Sequence, residues 1–268
     1  MNKPLNFIEL GNPENKTLVF LHGLGGTLRY WNSGLEKITK NYHVVLIDLF
    51  GFGESPMPWQ NYTQEKHLEA LNNILKNFEP DILIGHSLGA ALCLAYIQKY
   101  NINVKALILI SLPVFEKEKD AYKWMRRKPS GWLMTNMVIA AITCLLTRFI
   151  ARKLIFRFLD NYPKEVLEDL VKHNFLSSTT SLWNVIYNQS IYDNIDLINP
   201  DVFIKCIHSL DDDTAPYNAV ANLVQKHDSI KLSVLENSGH HPWLWDNAKC
   251  IDVINDIVNI TEEEKVFI

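Results

Sequence analysis

Residues 85 to 89 read Gly-His-Ser-Leu-Gly, with an apolar run ending in Ile84 before them and Ala90, Ala91 and Leu92 after. A hydroxyl between two glycines, where one regular element gives way to another, is placed to act as a nucleophile. A sharp strand-to-helix turn strains the backbone of its apex residue and leaves room only for tiny neighbours. Ser87 would then stand free at the carboxyl edge of a sheet and at the N-terminus of the next helix, where open-sheet α/β proteins bind ligands. A serine alcohol is a weak nucleophile until a base takes its proton, and that base needs a carboxylate to fix its tautomer. The chain offers nine histidines. His240 and His241 follow the last apolar run in "ENSGHHPW", while His22 and His86 lie inside glycine motifs where loop packing explains them as well as chemistry does. Carboxylates come as a triplet in "HSLDDDTAP": Asp211, Asp212 and Asp213.

Elements must bring these distant residues together. Short apolar runs at 17–23, 43–49, 81–87, 104–111, 202–209 and 230–237 alternate with helix-length segments near 29–40, 64–78, 88–100 and 216–227, and a last helix closes near 247–260. Strands apolar on both faces and alternating with helices predict an α/β fold with a mostly parallel central sheet and helices on both faces. "PLNFIELG" predicts an antiparallel edge strand. The rhythm breaks between Leu112 and Asn199, an interval too long for a structureless loop in a compact domain. The expected organisation is therefore a core domain made of 1–112 and 200–268, with an inserted helical cap over 113–199 bounded by Pro113 and Pro200.

With the strand before it and the helix after it, "GHSLG" resembles the nucleophile elbow G-x-S-x-G of the α/β-hydrolase family, and the resemblance runs from "FLHGLGG" to the C-terminal helix. The family's order of serine, acid, histidine implies Ser87 as nucleophile and His240, which matches the Gly-His of the final loop, as base. Its acid loop looks like G-x-x-D-x-x-x-P. Counting back from Pro216 gives Asp212 as the acid and Asp211 as second choice, with Ser209 departing from the usual glycine. Asp213 is expected to face solvent or to start the helix near Pro216 as a cap. "HGLGG" resembles the oxyanion turn, so the backbone amides of Leu24 and Leu88 would form the hole. "DLFGFGES" resembles a D-x-x-G-x-G-x-S loop with Phe50 where proline is common, and implies a structural role for Asp48.

The implied activity is serine hydrolysis of carboxylic esters through an acyl-enzyme, carboxylesterase- or lipase-like, with no cofactor and no metal. An aspartate at 87 would have implied dehalogenase or epoxide hydrolase chemistry. Two other readings stay open: a carbon–carbon bond hydrolase or lyase using the same triad, and a non-catalytic binding protein on the same fold.

The partner that the resemblance implies is a small-molecule ester. A net charge of −4 gives no basic field for nucleic acid. The cysteines, Cys93, Cys144, Cys206 and Cys250, lie far apart in apolar company, as buried thiols of a reducing, cytoplasmic compartment do. "MNKPLNFIELGNPENK" lacks the apolar core of a secretory signal. Residues 131–147 carry no charge, and their polar members Thr135, Asn136 and Thr143 make a buried or interfacial helix a better expectation than a membrane span. Residues 116–160 hold ten Lys/Arg against four acids, net +6, which leaves −10 on the rest of the chain. This asymmetry suggests an acyl tunnel for medium or long chains with a basic rim, and peripheral contact with an anionic membrane or an acyl carrier. The plain alternative is a helical cap with solvated charges. Trp243 and Trp245 would line the leaving-group side or pack beneath the final helix.

Overall fold

The runs Thr17–Leu21, His43–Ile47, Ile82–His86 and Ala106–Ile110 are buried at every position, as strands covered on both faces must be. In the computed structural model, which describes residues 3–100, 102–128, 131–132, 135–143, 145–146 and 162–263, they form the centre of a seven-stranded sheet. The strands are β1 (Phe7–Leu10), β2 (Thr17–Leu21), β3 (His43–Ile47), β4 (Ile82–His86), β5 (Ala106–Ile110), β6 (Phe203–Ser209) and β7 (Ile230–Leu235). Their order across the sheet is β1-β3-β2-β4-β5-β6-β7. Every pairing is parallel except that of β1 with β3, which is antiparallel with Phe7 opposite Ile47.

Alternation along a strand sends successive side chains to opposite faces. Val19 and Leu21 of β2 accordingly enter one apolar cluster, while Leu18 and Phe20 enter the other. Helices α1 (Leu35–Ile38), α2 (Gln64–Leu75), α3 (Leu88–Tyr100), α4 (Glu118–Met125), α5 (Lys164–Asp169), α6 (Phe175–Ser181), α7 (Tyr217–Lys226), α8 (Pro242–Trp245) and α9 (Asn247–Glu263) surround the sheet. The first cluster takes Leu68, Leu71 and Leu75 of α2 and the buried side of α3. The second takes Cys250, Ile251, Ile254, Ile257 and Val258 of α9, a stripe at helical spacing. Truncating one such side chain, Leu83→Ala for example, would cost about 2–5 kcal/mol through lost transfer and a cavity.

The expected helix over 29–40 is broken in two. A 3₁₀ turn spans Leu28–Trp31, and α1 starts after Gly34 at φ 84°. A Cβ at Gly34 would lie 2.9 Å from Ile251 Cδ1, so the break lets the chain pass close beneath α9. α2 stops short of 78, where Glu79 takes φ 46° ahead of Pro80.

Between β5 and β6 the described residues form helical segments and no strand. Residues 137–143 and 145–146 are helical, and Asn136 caps them by accepting from the amides of Val138 and Ile139, both at 3.1 Å. This stretch is exposed rather than buried. Downstream of α6, a π-helical turn over Leu182–Ile186 and a 3₁₀ segment over Gln189–Leu197 place Leu182, Val185, Ile191 and Ile195 in the first core cluster. The second half of the interval is thus built into the main core. Among the described residues, no helix is long and apolar enough to cross a membrane.

Candidate active site

The turn from β4 into α3 needs its glycines for want of space. A Cβ at Gly85 would sit 2.4 Å from the carbonyl carbon of Gly89, and one at Gly89 would sit 2.2 Å from Leu21 O. Between them Ser87 is held at φ 51°, with its amide donating to Ile110 O at 2.9 Å. A non-glycine residue in the left-handed region is strained, and here packing on both sides enforces it. Ser87 lies at the carboxyl edge of the sheet as expected, but it is only 5% exposed. Its hydroxyl does not stand free: it lies 3.0 Å from His240 Nε2.

His240 comes from the loop between β7 and α8. Its Nδ1 lies 2.9 Å and 3.1 Å from the two carboxylate oxygens of Asp212, which follows β6. A carboxylate only accepts, so Nδ1 carries the proton and Nε2 is left to accept from the Ser87 hydroxyl. Asp212 Oδ1 also accepts from the amides of Thr214 (2.9 Å) and Ala215 (2.8 Å). Burial pushes its pKa up, yet the charge and hydrogen bond of His240, with His208 and the Ala215 amide, outweigh burial and hold it below the usual carboxylate range. The structure therefore joins Ser87, His240 and Asp212 in one hydrogen-bonded chain.

The neighbouring aspartates do other work. Asp211 accepts from Ser209 Oγ and from the Gly239 amide (2.9 Å), while Ser209 Oγ accepts from the Ser238 amide (3.1 Å). Together they fix the loop that carries His240. Asp213 faces solvent and pairs with Lys128 of the insert; it does not cap α7, whose N-cap is Pro216. Asp48 spends its carboxylate on Asn6 Nδ2 (2.8 Å) and the amides of Leu28 (2.7 Å) and Glu54 (2.9 Å), which is a structural use.

Leu88 opens α3 and Leu24 sits in the turn closed by the Gly26 amide on Gly23 O at 3.1 Å. Among the described residues neither the Leu24 nor the Leu88 amide donates to another group. Gly23 lies against the elbow: a Cβ there would be 2.6 Å from His86 Nδ1. His22 donates from Nδ1 to Gly23 O (2.8 Å) and accepts on Nε2 from the Leu49 amide (3.0 Å), so it is a neutral strut between two loops.

Three further residues brace the chain of contacts. His86 donates from Nε2 to the backbone oxygen of His240 (2.7 Å) and stacks on Tyr30, with ring centroids 4.6 Å apart. Burial and the adjacent His240 and His241 push its pKa well down. His208 donates from Nε2 to Ala215 O at 2.9 Å and lies 3.4 Å from Asp212 Oδ2. Arg29 reaches from the segment after the glycine turn into the insert, where Asp169 takes its Nε at 2.8 Å and also accepts from Thr27 Oγ1. His241 turns its ring to within 5.1 Å of His86, and burial lowers its pKa to about 3. Trp243 is fully buried against Trp31 and Phe20, whereas Trp245 is exposed beside Tyr162. No group of three His, Cys, Asp or Glu among the described residues is arranged to hold a metal ion.

A family model described as alpha/beta hydrolase fold matches residues 16–247. Among curated proteins, the probable lysophospholipase BODYGUARD 5 of Arabidopsis thaliana is 22% identical over 264 residues, covering 87% of this chain and 59% of its own length. BODYGUARD 4 of the same plant, also named a probable lysophospholipase, is 33% identical over 107 residues, covering 38% of this chain and 26% of its own. The chain thus spans little more than half the length of the longer match. Among solved structures, a carboxylesterase from Nitrososphaera gargenis superposes with a TM-score of 0.76 at 17% identity, covering 97% of this chain and 96% of that one. At that identity the likeness speaks for the fold.

Proposed function

The chain belongs to the α/β-hydrolase fold family, and on that premise we propose that it is a serine hydrolase that cleaves carboxylic esters through an acyl-enzyme. The observation that carries this reading is the unbroken path from Ser87 Oγ through His240 to Asp212, with Nε2 of the imidazole at 3.0 Å from the hydroxyl. A retained binding fold has no physical need for a strained serine, a base with a fixed tautomer and a buried carboxylate in register.

In the proposed reaction Ser87 Oγ attacks the ester carbonyl carbon as its proton passes to His240 Nε2. The imidazolium that forms is stabilised by Asp212. The carbonyl oxygen becomes an oxyanion facing the amides of Leu24 and Leu88, where a donor is typically worth about 10²–10³ in kcat. Collapse expels the alcohol, which takes the proton from His240, and leaves the acyl group on Ser87. Water then loses a proton to the same histidine, attacks the acyl carbon, and a second collapse frees the acid and restores the hydroxyl.

The site is proposed to sit in a core of 1–112 and 200–268 with 113–199 as an insert, part of which, at Leu182, Val185, Ile191 and Ile195, packs into that core. Medium- or long-chain acyl groups are the proposed substrates, and the names of the plant relatives, probable lysophospholipases, lean that way. Cys93, Cys206 and Cys250 are free and buried, which supports a reducing, cytoplasmic setting; Cys144 lies outside the described residues.

Pre-steady-state hydrolysis of p-nitrophenyl esters from acetate to octanoate tests the proposal. The expected result is a burst of nitrophenolate matching the enzyme concentration, absent in Ser87→Ala, with turnover rising along the series. No ester turnover by a folded wild-type chain would overturn the esterase reading, and a preference for acetate over octanoate would overturn the chain-length reading.

A further inference from the structure

The helical stretch after Asn136 is turned inside out. At 3.6 residues per turn, Val138, Ile142, Leu145 and Leu146 share one face with Ile139 at its edge. They are 68%, 51%, 52%, 54% and 41% exposed, while Ala140 on the opposite side is 8% exposed. A helix on the surface of a water-soluble protein turns its apolar side inward. Here that side faces out, and Trp132, 57% exposed, extends it.

The border of this face is cationic. Arg126 lays its guanidinium over the Trp132 ring, 4.9 Å from the centroid, and donates from Nε to Thr135 Oγ1 at 2.9 Å. Lys123 and Arg127 stand on either side of it in the chain, and Lys128 pairs with Asp213. Over residues 116–160 the net charge is +6 against −10 for the remainder. The apolar stretch therefore lies within the positively charged part of the sequence, directly after the described cations of residues 117–128.

We propose that this face docks on an anionic lipid bilayer. The helix would lie in the plane of the headgroups with Val138, Ile142, Leu145 and Leu146 in the headgroup–acyl boundary. Anionic headgroups attract the insert and repel the rest of the chain, which fixes the orientation. A second copy seated face to face would set one positive insert against another. An acidic carrier protein would answer the charge, but the outer face of a helix offers no groove in which such a partner covers a convex apolar stripe. The insert also touches the acid loop: Trp124 Nε1 donates to Asp213 O at 3.0 Å, one residue from Asp212. Docking thus brings lipid-borne esters beside the site, a consequence that rests on the hydrolase reading.

Flotation of the full chain with mixed phosphatidylglycerol–phosphatidylcholine vesicles, against pure phosphatidylcholine, tests the docking. Wild type and Ser87→Ala are expected to float with the anionic vesicles and to be released by salt. Val138→Asp/Leu146→Asp and Lys123→Glu/Arg127→Glu are each expected to bind about tenfold less or weaker still, with turnover of a water-soluble short ester unchanged. Failure of wild type to float at low salt overturns the docking, as does binding indifferent to Val138→Asp/Leu146→Asp. Sedimentation showing a dimer that these aspartates dissociate, or carrier-protein binding without vesicle binding, overturns it too. Flotation needs no turnover, so its failure and failure of the hydrolase reading are separate results.

Discussion

At the scale of single residues, two adjacent aspartates divide one task. Asp212 faces His240 Nδ1 with both oxygens, whereas Asp211 holds the Gly239 amide and so the loop on which the histidine rides. Asp212→Asn should cut kcat for ester turnover by about 10³–10⁴ through loss of the tautomer lock and of imidazolium stabilisation. Asp211→Asn, which keeps an oxygen for Gly239, should stay within about tenfold. Comparable losses from both would refute this division, and steady-state kinetics on one ester reads it. Motif register singled out Ser87, His240 and Asp212 because each sits at a fixed spacing from a glycine or proline that marks a required turn: two residues from Gly85 and Gly89, next to Gly239, and four before Pro216. Nothing in the spacing marked His208, and the place of His86 inside the glycine motif fits packing as well as chemistry. Their contacts join residues 154 and 7 positions apart through backbone carbonyls, and a carbonyl acceptor leaves no trace in side-chain types.

Elements come next, and the segment after the first glycine turn depends on a partner from the insert. Asp169 is 1% exposed and gathers Thr27, Arg29 and Lys172. Burial pushes its pKa up, but hydrogen bonds from Arg29 and Thr27 outweigh burial and keep it below the usual range. Asp169→Ala should cost about 2 kcal/mol, less than the roughly 3–5 of a fully buried pair, because the Arg29 side chain is 30% exposed and water screens what remains. A thermal melt should show that loss as a Tm lower by about 4–8 °C, and Thr27 should move with it, slowing acylation at Ser87. An unchanged melt and acylation rate would show that the clamp carries nothing. The strands were legible in the sequence, since runs apolar at every position fit only a doubly covered sheet. The helix over 29–40 was misread because the break at Gly34 answers to Ile251, more than two hundred residues on.

At the scale of the whole molecule, burial keeps five histidines neutral. Burial lowers the pKa of His22, His86 and His208, and takes His67 and His241 to about 3 against an ordinary 6.5. The folded chain then refuses protons that the unfolded chain accepts below pH 6.5. Stability is therefore full above that pH and falls as pH drops from 6.5 toward 3. His67 and His241 alone should remove about 2 kcal/mol between pH 6.5 and 5.5, and His67→Asn should recover about half of it. Urea unfolding across that range measures the slope, and a flat profile would contradict it. The paired carboxylates Asp169, Asp211 and Asp212, held low in the fold, add their loss only at more acid pH. Whole-chain composition showed the charge asymmetry of the insert but not its reversed helix, because a run without charges reads alike whether it packs inward or faces out.

The most direct measurement is covalent. A fluorophosphonate should form one adduct, mapped by mass spectrometry of the digested chain to Ser87, rapidly in wild type, far more slowly in His240→Ala and not at all in Ser87→Ala. An adduct that persists in Ser87→Ala, or that maps to another residue, would contradict nucleophilic catalysis at the β4–α3 turn.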